Sequence, residues 1–570
     1  MVQEKRWRLR SQNHAVCRRL AGELGISPIV AHLLSHRGYT DPAAAYQFLH
    51  PRIEDLHDPY LMTGMRQAVD RIMRAIAHRE KILIYGDYDV DGTTSIIILK
   101  KTLEMLGADV AYHLPERLVD GYGMKEEAIH QAHAAGAKLI ISADCGIRAH
   151  EVVAAAHHLG LDIIITDHHL PEEQLPPALA VLNPKRSDCA YPEKSLAGVG
   201  VAFKLVQALL KETGRERALP SFLKVAAIGT IADLVPLVGE NRIIAKFGLE
   251  GLRQPKNEGL RALLDVAGIR LDSPIRCDDI AFRVGPRLNA MGRMGRAHPV
   301  IELFWAETAE HAQRLAQTLN QQNAARQQAQ QRVLEEAHRF LEQHPDLAAG
   351  PVIVLAGRQW HRGVIGLAAS KIVDRFYRPT IVVSVQDGLG HGSGRSIPAF
   401  HLLDGLDHCA DLLERYGGHA HAAGLTIREE RIPALAARLN QYAHTVLSAD
   451  DLIPELEIEH RLSLSDIDFE LWAALSQLEP FGVGNPKPVF AIRQGRIADQ
   501  PRRLKEQHWM FRVEQQGRRA DLIWWNGVER APDLAAGEMV SVAFTVDAHH
   551  YQGTVGLRLT VRDMKREAPS

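Results

Sequence analysis

The sequence has little that would staple it, anchor it or give it one dominant charge. Five cysteines stand in 570 residues, at Cys17, Cys145, Cys189, Cys277 and Cys409, and no two form a CxxC pair. This scatter excludes a disulfide framework and a thiolate zinc site, and it fits a reducing compartment. No stretch approaches ~18 uninterrupted apolar residues, so no membrane span is indicated. The start, MVQEKRWRLR, is charged and leads into no apolar run, which argues against secretion. A cytoplasmic protein is expected. Lys and Arg number 67 against 69 Asp and Glu, a formal net charge of −2. Bulk charge would therefore not attract nucleic acid, and any such binding must come from local patches.

What is present is an ordinary globular balance, 46% hydrophobic and 24% charged. The length suggests about three or four domains. Between about residues 80 and 185, apolar runs alternate with helical patterns. KILIYG (81–86), DVAYHL (109–114), KLIISA (138–143) and DIIIT (162–166) read as buried strands. MKEEAIHQAHAAG and AHEVVAAAHHLG read as the helices between them, so a parallel sheet is expected. Residues 305–343 contain neither Gly nor Pro and predict one long polar helix bridging two domains. PVIVLAG and TIVVSVQ, flanking the helical GVIGLAASKIVDRFY, predict a second α/β unit. After about 455, short alternating segments broken by Gly, Pro and Asn predict a small all-β barrel or sandwich. The expected domains are 1–304, 305–345, 346–450 and 455–565.

The segment KILIYGDYDVDG sets Asp87, Asp89 and Asp91 at alternate positions, about 6.6 Å apart at the Cα if the chain is extended. Such carboxylates repel unless a cation sits among them. They follow a strand and precede a helix, at the edge where open α/β sheets bind ligands. A solvated acidic turn is the plain alternative; an EF-hand fails for want of a Glu at the twelfth loop position. Two further strands end alike, LIISADCG in Asp144 and DIIITDHH in Asp167, His168 and His169. Asp233, inside AAIGTIADLVPL, is a fourth candidate, although a helix cap would also explain it. Oxygen donors with one or two imidazoles and no sulfur favour Mn²⁺ or Mg²⁺ over zinc. Two such ions ~3.5–4 Å apart would activate water and clamp a phosphoryl oxygen, which implies phosphoester hydrolysis.

DYDVDG, SADCG, TDHH and ADLVPL, in this order, resemble the four motifs of the DHH phosphoesterase superfamily. GHGSGRS (390–396) and YGGHAHAAG (416–424) resemble its associated substrate domain. The order of parts and the length are similar to the superfamily's exonucleases specific for single-stranded DNA. That resemblance implies a DHH catalytic domain, a bridging helix, a DHH-associated domain and a C-terminal OB-fold. It implies that Asp87, Asp89, Asp91, Asp144, His168 and Asp233 hold two metal ions, and that His169 contacts the reacting phosphate or leaving group. Which two of the three aspartates in DYDVDG touch metal stays open.

Ser393, Arg395 and Ser396 read as a Gly-rich loop suited to a terminal phosphate. The resemblance adds Arg117, from PERLVDGYG, to a pocket for the 5′ phosphate, and makes His419 a phosphate contact. Arg287, Asn289 and Arg293 in PRLNAMGR read as DNA-backbone contacts, with an interdomain salt bridge as the alternative. Asp374 and Arg375 read as ordinary helix surface. Residues 490–530 carry nine Lys/Arg against five Asp/Glu, interleaved with Trp509, Phe511, Trp524 and Trp525. Basic residues among aromatics suit a single strand, although one of Trp524 and Trp525 is expected in the barrel core.

The leading expectation is a two-metal, 5′-to-3′ single-strand exonuclease acting in DNA repair and recombination. Its expected partners are single-stranded DNA and, as recruiters, a single-strand-binding protein and a helicase; a monomer is expected. A cyclic-dinucleotide or short-oligonucleotide phosphodiesterase is the alternative, disfavoured by the residues after 455. A non-catalytic DNA-binding scaffold is another, disfavoured because every ligand position is filled.

Overall fold

In the computed structural model, residues 4–117, 121, 123–551 and 554–567 are described, which leaves Leu118, Val119, Asp120 and Tyr122 of PERLVDGYG outside. The chain divides into two compact units. One comprises 46–326 and 479–486; the other comprises 1–45, 327–478 and 487–570. Residues 1–45, expected with the catalytic domain, thus cluster with the second unit.

The N-terminal arm begins with β1 (Arg6–Leu9), which lies parallel to residues 455–458 of its own unit. Helix α1 (Pro28–His36) follows, capped by the Ser27 hydroxyl and opened by a proline at its first position.

The unit built on 46–326 carries a five-stranded, wholly parallel sheet. Its strands are β2 (Lys81–Gly86), β3 (Val110–His113), β4 (Ala137–Ala143), β5 (Asp162–Thr166) and β6 (Ala180–Leu182), in spatial order β3-β2-β4-β5-β6. The sequence pattern had shown four of them; β6 is three residues long and too short to carry a periodicity. The apolar runs are continuous because β4 and β5 are covered on both faces. Helices α2 (Val90–Met105), α3 (Gly198–Glu212) and α4 (Leu219–Ala232) pack together over one face. Beneath them lies a buried ion pair, Lys204 Nζ to Glu240 Oε1 at 2.8 Å. Tyr191 donates its hydroxyl to the other oxygen of Glu240, and Lys204 also reaches the carbonyl of His57. The segment 479–486 completes this unit. Leu237 N–H donates to Val483 O at 2.7 Å, and the buried Arg242 donates to the carbonyls of Phe48, Glu479 and Pro480.

The long helix α5 spans Ala309–Gln343, four residues shorter at its start than expected. Phe304 ends the preceding helix, and Thr308 caps the new one through His311 N–H. Residues up to Arg326 belong to the first unit and those from Gln327 to the second.

In the second unit β7 (Ile353–Arg358) and β8 (Thr380–Gln386) are parallel, with α6 (Ile365–Phe376) between them. β9 (Leu389–Arg395), β10 (Leu413–Gly418) and β11 (Ala422–Arg428) continue the sheet antiparallel, in order β10-β11-β9-β8-β7. The GHGSGR stretch is therefore a central strand. Its backbone is committed to ladders with β8 and β11, which corrects the expectation of a loop with exposed N–H groups. The glycines serve packing: a Cβ at Gly390, Gly392 or Gly394 would come within 2.8 Å of Val383, Leu425 or Leu402. Arg375 is likewise no plain surface residue, since its guanidinium pairs with Glu529 at 2.6 Å and contacts the His338 ring.

The remaining strands are β12 (Glu455–Ile458), β13 (His460–Arg461), β14 (Phe490–Ile497), β15 (Arg502–Leu504), β16 (His508–Gln515), β17 (Arg518–Trp524), β18 (Met539–Tyr551) and β19 (Thr554–Arg566). The order β14-β18-β19-β17-β16 closes on itself through a β14–β16 pairing, giving the five-stranded barrel of an OB domain.

The buried pair yields a stability test. Lys204→Met should leave Glu240 buried without its cation and destabilise the protein by about 3–5 kcal/mol. Lys204→Met combined with Glu240→Gln should recover part of that loss in thermal melts. Equal melting of the single variant and the wild type would show the pair to be energetically idle.

Candidate metal centre

Three neighbouring strands end at one edge, and the turn after each delivers an acid or an imidazole. After β2, Asp87 N–H donates to Ala143 O, and its Oδ1 accepts from Tyr88 N–H at 2.8 Å. Asp89 caps α2, its Oδ1 accepting from Gly92 N–H at 3.0 Å. Asp91 lies in the first turn of α2 and crosses to the start of α3, accepting from Gly198 and Val199 N–H at 2.6 and 2.7 Å. These amides form the positive end of α3, which favours a carboxylate there. Gly92 is required: a Cβ would lie 2.5 Å from Asp87 O.

After β4, Asp144 adopts φ +63°, a left-handed conformation that aspartate tolerates better than most residues. A Cβ on Gly198 would sit 2.4 Å from Asp144 Oδ1, so glycine makes room for that carboxylate. After β5, Asp167 Oδ1 accepts from the N–H groups of His168 and His169 and from His169 Nδ1, at 2.7–3.0 Å. Its other oxygen accepts from Ile147 N–H. Asp233 ends α4.

The side chains converge. His168 Nε2 lies 3.3 Å from Asp144 Oδ1, 3.6 Å from Asp233 Oδ2 and 3.8 Å from Asp91 Oδ2. Three triads each offer ligand atoms mutually within 4.8 Å: Asp87, Asp89 and Asp144; Asp91, His168 and Asp233; and Asp144, His168 and His169. Asp144 belongs to two of them, so adjacent cations could share it. Asp87 and Asp89 could then serve one ion and Asp91 the other.

Burial, with the charge of Asp89 next, pushes Asp87 up to about 8 and Asp91 up to about 7. Burial, then Asp91 and Asp89, pushes Asp233 up to about 9. Asp144 is raised by burial and by Asp91, and its buried Oδ1 has no hydrogen-bond partner. Burial lowers His168 to about 3, leaving a neutral ring with a lone pair to offer. For His169 burial opposes charge, but the hydrogen bond it donates to Asp167 and the charges of Asp167, Asp91 and Asp89 together outweigh it, and the pKa is raised. An orphaned carboxylate oxygen, carboxylates pushed toward neutrality and a neutral imidazole fit hard divalent ions such as Mn²⁺ or Mg²⁺.

The other expected residues divide. The Arg117 guanidinium stands 5.4 Å from the Tyr88 ring centroid. Arg287 and Asn289 have structural partners: Arg287 donates to Asn320, and Asn289 accepts from Val90 N–H at the start of α2. Arg293 shares their helix, Gly285–Met294. In the second unit Arg395 donates to Ser393 Oγ and Gly394 O, and a Cβ on Gly366 in the first turn of α6 would meet both side chains. Ser396 donates to Phe400 O, and His419 Nδ1 accepts from His421 N–H in the turn between β10 and β11. Trp509 and Phe511 are corrected: each is only 4% exposed, filling the barrel core, so neither presents a face to a base, and Trp524, also 4% exposed, is the one of the Trp524 and Trp525 pair that the core takes. Trp525, 50% exposed, keeps that role open. Asp167 was not singled out as a functional residue, although it is the acid that holds the backbone of both histidines and the ring of His169; its place in TDHH was the available signal.

Models of three families match the chain: the DHH family, N-terminal domain, over 81–230; the DHHA1 domain over 349–445; and the RecJ OB domain over 458–563. The single-stranded-DNA-specific exonuclease RecJ of Bacillus subtilis is 39% identical over 567 residues, covering 99% of this chain and 71% of that protein. RecJ of Escherichia coli is 34% identical over 560 residues, covering 94% and 95%. The crystal structure of RecJ with Mn²⁺ from Thermus thermophilus superposes with TM-score 0.85 at 31% identity, covering 99% of this chain and 80% of that one.

The raised carboxylates set a pH dependence. Their protonated forms favour the metal-free fold at low pH; that contribution begins to fall once pH exceeds the ordinary carboxylate value of 3.8 and is gone above about 9. In chelator the melting temperature should fall across this window, less so in Asp233→Asn. Added Mn²⁺ must displace protons, so its stabilising effect should grow over the same window. A flat profile in chelator, unmoved by Mn²⁺, would contradict this account.

Proposed function

Because this chain belongs to the RecJ family, metal-dependent exonucleases specific for single-stranded DNA, we propose that it removes nucleotides from the 5′ end with two divalent ions bound at the DHH edge. The observation that supports this most is the convergence of Asp87, Asp144 and His168, from three successive strand ends, into overlapping ligand triads.

When bound, Mn²⁺ or Mg²⁺ would supply an activated water near neutral pH and charge to stabilise the phosphoryl oxygens. Asp87, Asp89 and Asp144 would hold one ion, and Asp91, His168 and Asp233 the other. Asp167 fixes the His169 ring by its Nδ1. Proton delivery to the leaving oxygen would then run through Nε2, and the raised pKa of His169 favours the protonated form this needs. Arg117, Arg287, Asn289 and Arg293 would contact the strand. Ser393, Arg395, Ser396 and His419 would take the terminal phosphate, with Arg395 as its charged partner. Trp525 would stack on a base. The same reading places the enzyme in the cytoplasm as a monomer in DNA repair and recombination, beside a single-strand-binding protein and a helicase.

Polarity is tested by incubating 5′-labelled and 3′-labelled single and double strands with Mn²⁺. Early release of the 5′ label from single strands alone is expected; early release of the 3′ label would reverse the assignment. Arg395→Ala should cost ~1.5–3 kcal/mol on 5′-phosphorylated strands and less on 5′-hydroxyl strands. Equal losses on both would move Arg395 to an internal phosphate.

A further inference from the structure

A second group of metal-ligating side chains belongs to the other unit. His32 and His36 stand four residues apart on α1, which sets both rings on one helix face, and their centroids are 4.0 Å apart. Glu459, between β12 and β13, completes a triad whose ligand atoms lie within 4.8 Å of one another.

The hydrogen bonds make this more than a cluster. His32 is 2% exposed. Its Nε2 meets the carbonyl oxygen of Glu459 at 2.8 Å, an atom that can only accept, so the ring proton is on Nε2. Nδ1 is then a lone pair, buried and without a hydrogen-bond partner. A desolvated acceptor of this kind is costly. An imidazole whose other nitrogen donates to a backbone carbonyl is also the arrangement that orients a metal ligand. His36 repeats it: Nε2 lies 2.8 Å from Ser11 O, and Nδ1 lies 2.8 Å from Glu459 Oε2. Both partners are acceptors, while a neutral ring has one N–H. With the proton on Nδ1 the Ser11 carbonyl loses its donor; with the proton directed to Ser11, Nδ1 and the carboxylate face each other lone pair to lone pair, which a cation between them reconciles. The other oxygen of Glu459 lies 3.8 Å from Arg37 Nη1.

We propose that His32, His36 and Glu459 bind a first-row transition ion, with Zn²⁺ the best match to two imidazoles and one carboxylate. A fourth position would fall to water or to His460, whose ring centroid is 5.6 Å from that of His32. The ion would tie the N-terminal arm to the strand entering the barrel, where β1 already pairs with β12. Its ligands differ from the DHH centre, which is dominated by carboxylates.

The test uses the full chain, first saturated with Mn²⁺ at the DHH centre, then exposed to Zn²⁺ and desalted. Metal content is compared between wild type and the His32→Gln/His36→Gln variant, both with the DHH centre intact. The wild type should retain one more zinc ion per chain. Co²⁺ in its place should give visible tetrahedral absorption that the variant lacks. Mn²⁺-supported nuclease activity should survive in the variant, which checks its fold. If that variant does not fold, Glu459→Gln, which preserves shape, should hold zinc at least about tenfold more weakly. Equal zinc in wild type and variants overturns the proposal. So does a cluster whose effect on melting follows pH alone and ignores Zn²⁺, since the reconciling cation is then a proton.

Discussion

Everything at the catalytic edge follows from packing carboxylates closer together than their charges allow. Asp87, Asp91, Asp144 and Asp233 are each driven toward neutrality by burial and by neighbouring carboxylates. The charges of Arg117 and Lys185 relieve only a little of that repulsion, at Asp87 and Asp233. The fold relieves part of it with backbone, through the first amides of α3 on Asp91 and the Tyr88 N–H on Asp87. The remainder is left for divalent ions. Strained and exclusive local choices serve the same arrangement, among them the left-handed Asp144 and the glycines at 92 and 198.

Asp167 shows how a residue can matter without touching the reaction. It accepts four hydrogen bonds from the turn it opens and from Ile147, one of them from the His169 ring. His168 stays neutral and ligand-like, while His169, paired to Asp167, is biased toward its protonated form. Burial keeps one of two adjacent imidazoles neutral, while the supporting carboxylate biases the other toward charge.

The sheet and the metal edge were legible because their signals are local: continuous apolar runs, each followed within a residue or two by an acid. The closed barrel was legible as a class, from short alternating segments. What could not be read was what long-range contacts decide. Nothing in GHGSGR distinguishes a loop from a strand whose glycines admit Val383, Leu425 and Leu402. Nothing in the spacing of Trp509, Phe511 and Trp524 tells a core ring from a stacking platform; only closure of the barrel turns them inward. That Asn289 holds Val90 N–H could not be read either, because the two lie 199 residues apart in sequence.

The segment 479–486 bears on how this protein can be divided. The catalytic unit is discontinuous in the gene: it runs from 46 to 326 and is finished by residues encoded after the DHHA1 region. Arg242 is 2% exposed, and two of its three carbonyl acceptors come from that later segment. Cutting the chain near 453 would therefore not release an intact nuclease module, because it would strand a buried guanidinium and uncover Leu237. The domains can be told apart on a diagram, but they are not separable cassettes. Recombination that swapped the barrel of this chain for another would have to carry residues 479–486 across the junction or rebuild the contacts to Leu237 and Arg242.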